Sequence, residues 1–223
     1  MHFESNTVKH IDIDSWDRKE HFHFFQANKN PCLCITVPVD VKELVAFRKS
    51  QSAKRPRFTD CVYFAVMKSA NAIPEFRMRI VDRRPVEFGR INAGFTYVAR
   101  GRRLHSNCVA NFDDSFARFS QAIQKARDAA DKAPTLTPAG GESQALVYMS
   151  CLPSVSFTAF SNPWDDPWTD SVPRIAFGKV DPDSHKMPVS IEALHSFIDG
   201  THIESFVGCL QAALNAPDKS FSS

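Results

Sequence analysis

Apolar residues recur along this chain with two periods, and the places where one period gives way to the other mark its elements. Behind Asp14 and Ser15, both suited to N-capping, residues 15–27 carry Trp16, Phe24 and Phe25 among charges, which predicts a helix. Residues 32–39 are apolar and β-branched, a strand signal, and Asp40 with Glu43 three positions later predicts a capping box opening a helix that runs to residue 50. Thr59 is placed to cap the next helix, which is apolar on more than one face and must stop at Pro74. Phe76, Met78 and Ile80 then alternate with Arg77 and Arg79, a half-buried strand, and the same style continues over residues 86–100 and 104–110. From residue 113 to 133, Phe116, Phe119, Ile123, Ala126 and Ala130 return every three or four positions, a long amphipathic helix ended by Pro134. Residues 146–160 predict two strands around Pro153, residues 162–173 an aromatic-bearing surface loop, and residues 174–180 with 187–195 a hairpin. This interleaving predicts an α/β (α+β) fold, a mixed β-sheet with helices packed on one face, in a single domain over residues 1–223.

Composition narrows the partners. The 27 Lys and Arg nearly balance the 25 Asp and Glu, so no field argues for nucleic acid or an anionic membrane. Phe contributes 19 residues while Gly contributes only 8, which favours apolar filling over phosphate-cradling loops. The cysteines, Cys32, Cys34, Cys61, Cys108, Cys151 and Cys209, lack zinc or redox spacing, so they read as reduced thiols and no metal site is expected. The first residues contain no apolar h-region, and the longest strongly apolar run, residues 61–67, is too short to span a bilayer. A cytoplasmic location away from membranes is the expectation.

Chemistry concentrates near the end of the chain. Val189, Ile191, Ala193 and His195 share one strand face, so the histidine closes an apolar row where the chain leaves the sheet. Asp199 and Gly200 make a turn, Thr201 with Glu204 predicts a second capping box, and Ile203, Phe206, Val207, Leu210 and Leu214 form the buried stripe of a closing helix. An imidazole there can face a cleft, or it can be a satisfied histidine at a strand end.

The run His195-Ser-Phe-Ile-Asp199-Gly200-Thr-His202 resembles the signature of the chloramphenicol acetyltransferase family: a histidine, three residues, then Asp-Gly-x-His. Trp16-x-Arg18-x-Glu20-His21-Phe22 resembles that family's N-terminal helix motif, Phe76 to Ile80 its central strand, and Ser150 to Phe157 its serine-bearing strand, in the family's order. The resemblance implies a two-layer sandwich, assembled as a homotrimer with active sites between subunits. It implies acetyl-CoA as cosubstrate with no bound cofactor, and a small hydroxylated acceptor met in one ternary complex, where proximity supplies much of the rate. By the same resemblance His195 is the general base, Ser150 the oxyanion donor, and Arg18 with Asp199 a structural ion pair. Phe25 and Cys32 would contact the acceptor, and Lys179 the CoA. Histidine suits proton abstraction because its ordinary pKa of about 6.5 lies near neutrality.

Four positions depart from the family pattern. Leu194 replaces a histidine, Phe25 a tyrosine, Ala176 a threonine associated with the oxyanion, and Ser154 a tryptophan on the CoA side. Other readings stay open for single residues: Ser150 as hydrogen-bonded filler, Cys32 as a small buried hydrophobe, Phe25 as core, His202 as a first-turn residue. Lys179 and the Lys54, Arg55, Arg57 cluster suit CoA phosphates or a solvated face. For the chain as a whole, the alternatives are a non-catalytic trimeric relative that binds a small ligand, or an acetyltransferase for a different alcohol.

Overall fold

A computed structural model describes residues 7–51 and 55–221. The chain opens with β1 (Val8–His10), followed by α1 (Lys19–Gln26), β2 (Cys32–Asp40), α2 (Lys42–Ser50) and α3 (Phe58–Ala72). Next come β3 (Met78–Val81), β4 (Arg84–Phe88), β5 (Asn92–Val98), β6 (His105–Ala110) and α4 (Phe116–Lys132). Then β7 (Leu146–Cys151), β8 (Arg174–Phe177) and β9 (Lys186–Leu194) precede α5 (Gly200–Asn215) and α6 (Pro217–Ser220). A six-stranded mixed sheet runs β2-β9-β8-β7-β5-β6, with β7 parallel to both its neighbours, and a three-stranded sheet runs β1-β4-β3.

Period-two alternation decides what each face of the large sheet does. Ala93 and Phe95, Val147 and Met149, Ile175 and Phe177, and Val189, Ile191 and Ala193 enter one buried core with residues of α3, α4 and α5. The all-round apolar α3 is central: Cys61 through Met67 are all buried. Its one buried charge, Asp60, pairs with Arg127 of α4 at 2.6 Å, as a desolvated carboxylate requires.

The opposite, outer face carries Ser150, Ala176 and Ser190 side by side in register. Part of it is roofed by the segment between β7 and β8. The Ser190 hydroxyl donates to the Phe160 carbonyl at 2.8 Å. Buried Glu192 accepts from the Asn162 backbone and side-chain amides and from Trp164 Nε1, at 2.7 to 3.1 Å. Gly178 permits this roof to sit low, since a Cβ there would lie 2.6 Å from the Val155 carbonyl oxygen.

Several expectations need correction. Residues 74–77 form a 3₁₀ turn, with Pro74 at its start, so the strand begins only at Met78. Arg79 does not face water: it is fully buried and donates to the carbonyls of Phe76, Met78, Gln144 and Leu146, tying the small sheet to the start of β7. That burial pushes its pKa down to about 9. Residues 154–160 form no strand, because the edge of β7 they would need is taken by β8. The first helix starts at Lys19 behind a turn, leaving Asp14 to bind the Lys19 ammonium at 2.7 Å. Asp40 accepts the Lys42 N–H at 2.9 Å but belongs to β2, and Thr59 lies inside α3 rather than at its cap. The short strand β1 carried no sequence signal. Among the described residues no helix is long and apolar enough to cross a membrane.

Candidate active site

His195 stands in the turn that joins β9 to α5, and three residues hold it. Its backbone N–H donates to the Pro31 carbonyl at 2.8 Å, tying it to the chain just before β2. Arg18, at the N-terminus of α1, spreads its guanidinium over the whole turn. It donates to the carbonyls of His195 and Ser196 at 3.2 and 3.0 Å, and to both Asp199 oxygens at 2.7 and 2.6 Å. This two-pronged contact uses the planar fork that only arginine offers. The last turn of the same helix supplies Phe25, whose ring stacks on the imidazole with centroids 3.9 Å apart and planes 9° from parallel. α1 therefore grips the histidine with both ends.

The imidazole has two unlike edges. Nδ1 is buried and lies 3.2 Å from Asp199 Oδ1 without an aligned hydrogen bond, since Arg18 already engages both carboxylate oxygens. The side chain as a whole is 31% exposed although its Nδ1 is buried. Asp199 is thus tied to Arg18, the same side chain that holds the carbonyls of the turn. Its carboxyl is held below the ordinary carboxylate range, first by the Arg18 hydrogen bond. His202 completes the turn: its Nδ1 accepts the Asp199 N–H at 2.9 Å, and its Nε2 lies 3.6 Å from Glu75. The reciprocal capping pair of α5 is therefore Asp199 with His202, not Thr201 with Glu204.

Cys32 lies directly across from Leu194 in the β2–β9 pair, one residue from His195. With Pro31, Leu194, Asn162 and Trp164 it lines a cleft of about 250 Å³. Burial pushes its thiol pKa up to about 12, so it behaves as an apolar wall rather than a nucleophile.

Ser150 is elsewhere. Its hydroxyl lies 3.5 Å from Thr96 Oγ1, the outer limit of a hydrogen bond, on the wall of a cleft of about 310 Å³. Register pairs it with Ala176 and, through that strand, with Ser190. Ser190 and His195 are five positions apart, about 17 Å of extended chain, and β7 lies two strand spacings, about 10 Å, from β9. Lys179 is exposed just past β8, and its N–H donates to Val155, so it and Ser154 lie at the end of the sheet away from His195. Of the basic cluster, Arg55 and Arg57 are exposed and Lys54 lies outside the described residues. Within one chain the structure brings together His195, Phe25, Cys32, Arg18 and Asp199, and leaves Ser150 and Lys179 apart from them. The second cleft's other lining residues, Tyr148, Thr96 and Asn162 among them, were missed, although strand parity places Tyr148 beside Ser150.

This sheet, with its helices on one face, is the fold of a class of acyltransferases. Azotobacter vinelandii dihydrolipoamide acetyltransferase superposes with a TM-score of 0.68 at 17% identity, over 90% of this chain and 87% of its own. A solved chloramphenicol acetyltransferase superposes with a TM-score of 0.74 at 27% identity, over 94% of this chain and 98% of its own. An Escherichia coli chloramphenicol acetyltransferase is 27% identical over 204 residues, which is 90% of this chain and 91% of that protein. Its Bacillus pumilus counterpart is 24% identical over 205 residues, covering 91% of each. The chloramphenicol acetyltransferase family model matches residues 6–211. The chain belongs to the chloramphenicol acetyltransferase family, an acyltransferase family whose cosubstrate is acetyl-CoA.

Proposed function

We propose that this protein, acting as a single acetyltransferase domain, moves the acetyl group of acetyl-CoA to the hydroxyl of a small molecule, and that each active site is completed by a second copy of the chain. His195 Nε2 takes the hydroxyl proton as oxygen attacks the thioester carbon, and Ser150 donates to the oxyanion that forms. The C–S bond then breaks, and the proton held by His195 leaves with the CoA thiol. Phe25 and Cys32 wall the acceptor, and Lys179 attracts CoA phosphate. One observation carries this reading: the separation of His195 from Ser150 along and across the sheet, which is too wide for both to touch one tetrahedral carbon. A neighbouring copy in a cyclic assembly, a trimer by family resemblance, supplies the missing half.

Thiol release from acetyl-CoA, measured with chloramphenicol and with a panel of other alcohols, tests the reaction and the acceptor together. His195→Ala is expected to lower kcat roughly 10²- to 10⁴-fold. Mixing tests the shared site. His195→Ala and Ser150→Ala chains, each inactive alone, should regain about a quarter of wild-type activity when co-assembled at random, because a quarter of the interfaces then pair two intact residues. No recovery in verified mixed assemblies defeats the shared site. The absence of an oxyanion threonine at Ala176 favours a second reading, a relative that binds its alcohol without transfer. Acetylated product in a mass spectrum eliminates it.

A further inference from the structure

The end of α1 meets the histidine turn through two adjacent contacts. Phe25 stacks on the His195 ring, and one residue further along both segments the Ser196 hydroxyl donates to Gln26 Oε1 at 2.8 Å. Neither partner of this second contact reaches solvent: Gln26 is 3% exposed and Ser196 0%. From the start of the same helix, Arg18 Nε donates to the Ser196 carbonyl at 3.0 Å. The residue after His195 is therefore fixed through its main chain by one end of α1 and through its side chain by the other. As a stabilising device the pair is poor. A glutamine amide brings donors as well as an acceptor, yet Gln26 Nε2 is buried without a hydrogen-bond partner among the described residues, and an unmet buried donor costs stability. Two apolar side chains of the same shape would fill the space at less cost. What the hydrogen bond supplies is direction: it fixes where Phe25 lies over the imidazole, which two stacked flat rings leave free to slide.

We propose that Gln26 and Ser196 are positioning residues for acyl transfer, their hydrogen bond locking the stack of Phe25 on His195 in register and so aiming His195 Nε2 at the acceptor hydroxyl. The inference rests on the acyl-transfer reading and adds to it two residues that act through the histidine. The test exchanges both members of the pair, in the intact protein, for apolar residues of similar shape: Gln26→Met together with Ser196→Ala. Urea midpoints should match or exceed the wild-type value, since the exchange strands no polar group. Turnover is measured with acetyl-CoA and chloramphenicol, or whichever alcohol of the panel the wild type acetylates fastest. There kcat should fall about tenfold with the KM of acetyl-CoA unchanged, and each single variant should lose about as much as the double, as members of one contact do. Wild-type kcat in the double variant overturns the assignment. So does a clearly lower urea midpoint, which makes the pair a structural bond. If the wild-type protein releases no thiol with any alcohol of the panel, the transfer reading fails separately, and nuclear magnetic resonance decides the positioning. The ring protons of His195, identified by their loss in His195→Ala, are displaced by the Phe25 ring, and Phe25→Leu measures that displacement. A reduced displacement in the double variant supports the lock, and an undiminished one overturns it.

Discussion

Asp199 keeps its charge because Arg18 meets both of its oxygens, and that contact ties stability to pH. In an unfolded chain the carboxyl would titrate near 3.9, and in the folded protein it titrates lower. The ion pair therefore stabilises the fold in full above the unfolded value, and the contribution is lost as pH falls through the folded one. Urea midpoints of wild type and Asp199→Asn should differ most at neutral pH and converge below about pH 4. At neutral pH Arg18→Met is expected to cost roughly 2–3 kcal/mol, since it strands a partly buried carboxylate and two carbonyls. Lost stability should come with lost turnover, because the same guanidinium holds the carbonyl of His195.

At the scale of elements, the N-terminus of α5 distinguishes spacing from structure. Asp199 with His202 and Thr201 with Glu204 both satisfy the i, i+3 pattern of a capping box, so local sequence did not choose between them. Arg18 chooses, from 181 residues away, by holding Asp199 outside the helix. His202→Ala should lower stability by about 1 kcal/mol in thermal or chemical denaturation, while Thr201→Ala should change it by a few tenths. Most helices and strands were legible because their apolar periods match their burial: α4, β2, β9 and α5 stand where the pattern puts them. The misreadings share one cause. Arg79 alternates like a surface residue yet satisfies four buried carbonyls, and residues 154–160 look like a strand but find no free edge, both being matters of tertiary partners. The histidine turn was legible as a motif, whereas the stack of Phe25 on His195 depends on where α1 packs against that turn.

For the molecule as a whole, the decisive feature is the distance between His195 and Ser150, the proposed proton acceptor and oxyanion donor. On the proposed reading, a folded chain carries half of one site at one end of a sheet and half of another at the other end, and has no complete site of its own. Specific activity measured over a dilution series should then collapse at the concentration where the oligomer dissociates, while circular dichroism stays constant. A chain with both halves in reach of each other would keep its activity per molecule throughout. Catalysis in such a protein is a collective property, governed by how much of it a cell makes: sparse copies would be well folded and silent, and a modest rise in expression would switch them on together.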